Sequence, residues 1–449
     1  MKKQYAISII VIYLLLTALI YIYIPTPESH LEKDSYGYEK IALNFLNNGR
    51  LTPHLENDIP VQTIGYPFFL GLIYRFFGHH WEYVIVIQLL LSIMTGLLIY
   101  RIATLLFNEL IGYGAFSLWA INLGFLIYPH YLLTEILLVT LLCAFLERFI
   151  TFLCTRNHFT LCIAGILGGL SVIVKPVALW LFLFLLISLL IKNNMKSAVI
   201  TGFLFSFCFY TPVVSYMTYN KIMHNIFSIG PLLQENLFIY VLAKMKVHTE
   251  QISYTTALNE VYLPFQQYRR SDPNAWHTNK KSFFTLMKTH PFLLPKLWIH
   301  NIIKTYMGLF STQLKVLLHE ELEGGMCSFS NTSGPLFYRF KSYIFGWTSS
   351  SILKGIALLE ALYNYFRFIF IWLALFYLFL HKQYFLSIFF IVPIAYLSFI
   401  TGHDGCARYR LMFEPLLIVL TALGIYIMYM WLTSAIKKNT VVSHLNLST

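Results

Sequence analysis

Asp34, Glu135, Lys175 and the stretch 402–410 (GHDGCARYR) stand at the ends of long apolar runs. Their types suit one kind of chemistry. A carboxylate takes a proton from a hydroxyl, while ammonium and guanidinium groups hold a phosphate and offset charge on a leaving group. Asp34 follows the first apolar run and opens a helical pattern, so it is a candidate base; capping that helix is its ordinary alternative. Glu135 ends the string YPHYLLTE at the start of another apolar run. A carboxylate there is costly unless paired or functional, with His130 or a basic residue from another run as its partner, although the positive end of a helix dipole also favours it.

Lys175-Pro176 interrupts the apolar run 161–191. Its ammonium suits a lipid-linked phosphate at that depth, against the plainer reading of a snorkelling side chain. Arg408 and Arg410 offer bidentate guanidinium groups, against interfacial anchoring of the last run.

The elements that must position these groups follow from composition. Of 449 residues, 57% are hydrophobic and 12% charged, and the mean hydropathy is +0.64. A single soluble core cannot hide that much apolar surface, which makes the chain a polytopic membrane protein. The net charge of +12 is dispersed among the apolar runs rather than gathered on one face, which argues against nucleic acid and for topology and anionic-lipid attraction.

Windows long enough to cross a bilayer start near Ile7, Tyr83, Ile111, Leu132, Phe159, Val177, Ala198, Ile356, Tyr384 and Leu411, predicting an all-α fold of about ten spans. With both termini cytoplasmic, the inside loops and tails carry Lys2, Lys3, Arg101, Arg148, Arg156, Lys192, Lys196, Lys382, Lys437 and Lys438 against Glu109 and Glu147. That is the expected positive-inside bias. The first run, without a small-x-small cleavage pattern, reads as a retained signal anchor. Asp34, Glu135, Lys175 and 402–410 then share the outer rim.

The expected organisation is a transmembrane module 1–217 containing a first outside loop 25–82, an outside segment 218–355, spans over 356–433 and a cytoplasmic tail 434–449. The first loop reads as a helix from Asp34, with Tyr38, Ala42 and Leu46 on one face and Gly49 as its stop, followed by an interfacial helix over 66–77. A further interfacial helix is expected over 295–310. The cysteines lack metal-ligand spacing. Cys327 and Cys406 are the only ones expected outside, where pairing is an option, and Asn331-Thr332-Ser333 forms a glycosylation sequon.

With these residues in order, the chain resembles the C-type glycosyltransferase (GT-C) superfamily, in its protein-mannosyltransferase and aminoarabinose-transferase branch. The resemblance rests on Asp34, Tyr38, Ala42 and Gly49, on Gly65-Tyr66-Pro67, on Glu135, on Lys175-Pro176, and on Arg408-Tyr409-Arg410 before Pro415. Relatives often place two acids together where this chain has Asp34-Ser35, which leaves Glu39 or Asp58 to supply a second carboxylate. The resemblance implies transfer of a sugar, usually with inversion, from a polyprenyl-phosphate donor to a lipid, glycan or protein hydroxyl on the non-cytoplasmic face of, most simply, a bacterial inner membrane. It makes Asp34 and Glu135 the catalytic pair and Lys175, Arg408, Arg410, Tyr38 and His403 the donor-binding set. No cofactor is required, and a divalent cation held by Asp34 and Glu135 is the variant mechanism. The competing readings are a transporter or flippase of lipid-linked sugars, disfavoured by the absence of internal repeats and mid-span charges, and a glycan polymerase or ligase.

Overall fold

The computed structural model describes residues 3–52, 61–192, 195–263, 276–318, 335–345 and 350–433. Asp58, Cys327, the sequon at Asn331 and the tail 434–449 lie outside the described residues, so the calls on them stay as sequence expectations. Among the described residues every regular element is helical.

Six helices are long and apolar enough to cross a membrane: Lys3–Ile22, Trp81–Leu106, Glu135–Thr155, Ser197–His224, Ser351–Leu380 and Glu414–Thr433. A seventh candidate is the pair Glu109–Ala120 and Leu123–His130, bent by 54°. The remaining expected spans are the shorter apolar helices His158–Val174, Pro176–Ile187 and Tyr384–Ile400. Each of the ten apolar windows therefore coincides with a helix or a bent pair, and the chain is a multi-pass integral membrane protein.

The bend has a local cause. Asn122 caps the second helix of the pair by accepting from the Gly124 N–H at 3.0 Å, and its amide donates to Glu414 at 2.7 Å. A polar side chain thus takes over where the helical ladder is interrupted. Elsewhere small residues let helices meet closely, as membrane helices must when apolar surface gains nothing by leaving lipid. A Cβ on Gly169 would lie 2.2 Å from the Phe209 carbonyl and 2.4 Å from Pro212, so helix His158–Val174 rests directly on the backbone of the helix that ends at His224.

The first loop folds into two helices. Lys33–Asn48 ends at Gly49, whose φ of +67° is the left-handed stop expected there. Its start differs from the sequence expectation: the N-cap is Glu32, not Asp34. Ser35 accepts from the Glu32 N–H at 2.9 Å, so a Glu–Ser pair closes the helix end and leaves the Asp34 carboxylate, in the first turn, clear of capping duty.

The second helix, Gly65–Phe77, buries Tyr66, Leu70, Ile73 and Tyr74. It leaves Phe68, Leu72 and Phe76 exposed on the opposite face, an apolar stripe suited to lipid contact. Thr63 donates to the Val174 carbonyl at 2.8 Å, tying this loop to the turn that carries Lys175.

The segment expected outside has, among its described residues, a small core of its own, built around Ile239, Leu242, Met245, Val261 and Phe283. Its helix Leu293–Met307 lies along the loop before the last span, with Trp298 donating to the Phe399 carbonyl at 2.7 Å and Asn301 to the Gly402 carbonyl at 2.8 Å. The expected helix over 295–310 stops at Met307, and after Gly308 a separate short helix, Ser311–Leu317, begins.

Candidate active site

Four of the residues singled out from the sequence converge. Arg408 sits in the short helix Ala407–Arg410 that precedes the last span. Its Nη1 donates to Asp34 Oδ2 at 2.9 Å and its Nε to Glu135 Oε1 at 2.6 Å. Lys175, placed by the Pro176 break, reaches the same Glu135 oxygen at 3.2 Å. Glu135 is buried at the first turn of its span, Arg408 and Lys175 are partly buried, and the Asp34 carboxylate is half exposed.

The depth of burial separates their roles. Two cations hold Glu135, and a buried carboxylate with that much compensation stays fixed. Asp34 has one ion-pair partner and an open side toward solvent. Burial works against the Arg408 charge, but the Glu135 and Asp34 carboxylates more than restore it, so the guanidinium is held far above its ordinary range.

Tyr38, one turn after Asp34, is buried with its ring edge-on to Tyr66 at 5.2 Å. Tyr66 in turn donates to Gln88 at 2.9 Å. These aromatics form the floor beneath Asp34. The Lys175 ammonium lies 5.2 Å over the Tyr409 ring, which braces it beside Glu135.

Two members of the expected donor-binding set stand elsewhere. Arg410 points away from Arg408, because successive residues of a helix face different ways. It is fully buried, donating to Glu414 at 3.1 Å and to the Tyr306 and Gly308 carbonyls at 2.7 Å each. Glu360 lies 3.7 Å from it. His403 lies one ring away, 5.5 Å from Tyr409, and bonds the Ile400 carbonyl; burial lowers its pKa.

Glu135 pairs with Lys175 and Arg408 rather than His130, whose ring stacks near Tyr21 at 6.0 Å. Glu39 does not supply the second carboxylate, since its Oε1 faces His79 and Trp81, both at 2.8 Å. Among the described residues no group of three or more His, Cys, Asp or Glu is arranged to hold a metal ion; Asp34 and Glu135, the carboxylates of the metal variant, are both bonded by Arg408.

Two residues at the site escaped the sequence reading. Glu32, the cap of the Asp34 helix, is bonded by the Gln313 amide, and burial raises its carboxyl pKa while Arg408 and Gln313 pull it back. Gln313 also accepts at its carbonyl from the Tyr131 hydroxyl at 3.0 Å. Glu32 was one acid among several in its loop, and a neutral Gln in a segment of no recognisable pattern carried no signal.

A family profile described as dolichyl-phosphate-mannose-protein mannosyltransferase matches residues 61–216, less than half of the chain. No curated protein sequence matches. Among solved structures, the apo oligosaccharyltransferase of Archaeoglobus fulgidus aligns with a TM-score of 0.53 at 14% identity, covering 99% of this chain and 54% of that one. The same organism's AglB, in complex with an inhibitory peptide and a dolichol-phosphate, gives 0.53 and 14%, covering 99% and 53%. The apo ArnT of Cupriavidus metallidurans gives 0.40 at 11% identity, covering 93% of this chain and 77% of that one. The chain thus spans about half the length of the oligosaccharyltransferase it matches over nearly its whole length. Profile and fold agree with the resemblance to the C-type glycosyltransferase superfamily read from the sequence.

Proposed function

We propose that this chain, an integral membrane protein with the fold of the C-type glycosyltransferase superfamily, transfers a sugar from a polyprenyl-phosphate donor to a hydroxyl of a lipid, glycan or protein on the non-cytoplasmic face. One observation carries the reading: Arg408 bridges Asp34 and Glu135, with Lys175 on the same carboxylate. A base and a phosphate-binding pair thereby stand within one side chain's reach at the ends of apolar helices.

In the reaction, Asp34 accepts the proton of the acceptor hydroxyl. The acceptor oxygen bonds to the anomeric carbon from the face opposite the phosphate, the carbon–phosphate-oxygen bond breaks, and the polyprenyl phosphate departs with the electron pair. The configuration inverts. Arg408 and Lys175, both partly buried, meet the charge on the leaving phosphate. Glu135 holds both cations in register.

The ion pair between Arg408 and Asp34 adds a sequence of events. The Arg408 guanidinium occupies Oδ2 of the Asp34 carboxylate. An incoming phosphate competes for Arg408 and frees that oxygen, so the base becomes available to the acceptor hydroxyl when donor is bound. A transporter would have gained support had Asp34 and Arg408 stood on opposite sides of the bilayer, and their contact at 2.9 Å withholds it.

The test is Asp34→Asn in the purified full-length protein in lipid nanodiscs, supplied with polyprenyl-phosphate sugars. Transfer should vanish while insertion and donor binding persist. Full turnover by that variant would remove the mechanism.

A further inference from the structure

The helix Glu135–Thr155 carries a second buried carboxylate, far from the first. Glu147 lies twelve residues after Glu135, about 18 Å further along the helix axis, and its side chain has no exposed surface. It therefore stands toward the end of the span away from the proposed site, the end expected in the cytoplasm. Arg101, near the end of the neighbouring helix Trp81–Leu106, reaches Glu147 Oε1 through Nη2 at 2.9 Å, and Arg148 reaches Oε2 through Nε at 2.9 Å. Thr151 also donates to Oε1, at 3.2 Å.

A carboxylate buried in a span is tolerated when it is paired, and Glu147 is paired twice. Held on the two oxygens of one carboxylate, the guanidinium groups stand side by side with one positive charge in excess. Glu109, the other acid expected at that end, accepts from the Tyr113 hydroxyl at 3.4 Å. Residues 1–2, 188–196 and 434–449, which belong to the same end and whose side chains lie outside the description, include no Asp or Glu to cancel the excess.

Neither guanidinium is sealed in. The Arg101 side chain is 51% exposed and that of Arg148 34%, and Glu147 engages only one nitrogen of each five-donor fork.

The helix face leading to Arg101 is apolar. Tyr83, Val86, Leu90 and Met94 are exposed along it at spacings of three and four residues. Arg101 follows Met94 by two helical turns, so it closes the same stripe. Leu90 lies about 16 Å along the axis from Arg101, close to half of a hydrocarbon core of about 30 Å. One leaflet's acyl chain matches that length.

We infer that Arg101 and Arg148, aligned by Glu147, bind the phosphate of an anionic phospholipid whose acyl chain lies on Met94 and Leu90. Basic pockets between spans on the cytoplasmic side suit such headgroups. A headgroup with a single negative charge neutralises the excess, whereas a zwitterionic one brings a cation of its own. The bound lipid joins helices Trp81–Leu106 and Glu135–Thr155 at the end opposite Glu135.

The test uses the full-length protein, purified in detergent and stripped of lipid. It is titrated with dioleoyl-phosphatidylglycerol, with dioleoyl-phosphatidylcholine and with free glycerol 1-phosphate, and bound molecules are counted by native mass spectrometry. The phosphatidylglycerol should bind about fivefold tighter than the phosphatidylcholine or better, and free glycerol 1-phosphate, lacking the chain, far more weakly than either. Arg101→Gln and Arg148→Gln should each remove the preference. Neither strands Glu147, which keeps the other guanidinium, and Arg101→Lys should retain most of the preference.

Equal binding of the two lipids by the wild type would overturn the site, as would a preference left intact in both glutamine variants. Free glycerol 1-phosphate bound as tightly as the phosphatidylglycerol would overturn its assignment to a lipid.

Discussion

Arg408 donates through Nε to Glu135 at 2.6 Å, although the two residues stand 273 positions apart in the chain. Neither can be moved independently. Glu135 is fixed at the start of a span, Arg408 is fixed just before the last one, and the guanidinium still has a second arm for Asp34. A single planar side chain therefore joins the first loop, the fourth apolar segment and the ninth connection.

That geometry predicts unequal roles for the two cations. Arg408→Lys replaces a planar fork with a point charge that cannot reach both carboxylates. Turnover should fall by about 10²-fold or more, while Lys175→Gln, which leaves Glu135 paired to Arg408, should chiefly weaken donor binding. Separate kcat and KM values with a polyprenyl-phosphate sugar check the split; equal losses in the two variants would contradict it.

The Gln313 side-chain amide donates to Glu32, the cap of the Asp34 helix, and at 3.3 Å to the hydroxyl of Tyr131, four residues before Glu135. The helix that carries it is anchored by Glu360, which accepts from the Phe310 and Ser311 N–H groups at 2.7 and 2.8 Å. Gln313→Ala should lower kcat with little change in donor affinity, because it loosens the base without touching the phosphate pair. Gln313→Glu should be worse, as it sets a carboxylate against Glu32.

Arg410 belongs to a buried network rather than to the donor site. Arg410→Ala would leave Glu414 and Glu360 with less compensation and cost about 3–5 kcal/mol. Thermal unfolding in detergent would show the loss, and Glu360→Gln in the same chain should recover part of it by removing the carboxylate left without a cation, since Glu414 keeps the buried Arg367.

Gly169→Leu should destabilise the protein without altering the site. Its side chain would have to enter the space held by the Phe209 carbonyl and Pro212. A cost of about 1–3 kcal/mol is expected from such overpacking, visible in the same unfolding assay.

Burial, with Asp404 adding to it and Arg408 opposing, pushes the Cys406 thiol up to about 11. A raised thiol pKa means less thiolate at a given pH, so alkylation at pH 8 should run about a hundredfold slower than for an ordinary thiol. The rate should keep climbing past pH 9 and level off only near 11. A plateau near pH 9 would place Cys406 in open solvent.

The apolar segments were legible because apolar length is a property of the chain alone: each of the ten windows coincides with a helix or bent pair, six of the helices being long and apolar enough to cross a membrane. Their ends were legible too, which is why Asp34, Glu135, Lys175 and Arg408 could be named from the sequence. The helix read from Asp34 begins one residue earlier, at Lys33, and Glu32 rather than Asp34 caps it, since Glu and Asp both suit a helix start and only the Ser35 bond decides between them.

What the sequence determined by itself was how much of the chain must lie in lipid and which ionisable residues stand at its edges. What only the tertiary structure decided was partnership. Arg408 and Arg410 look alike in the sequence, yet one faces the rim and the other the bundle interior, because their helix turns between them and Glu414 and Glu360 wait on the inner side. Pairing of charges depends on distances of a few ångströms between segments hundreds of residues apart, and local patterns of hydropathy hold no record of those distances.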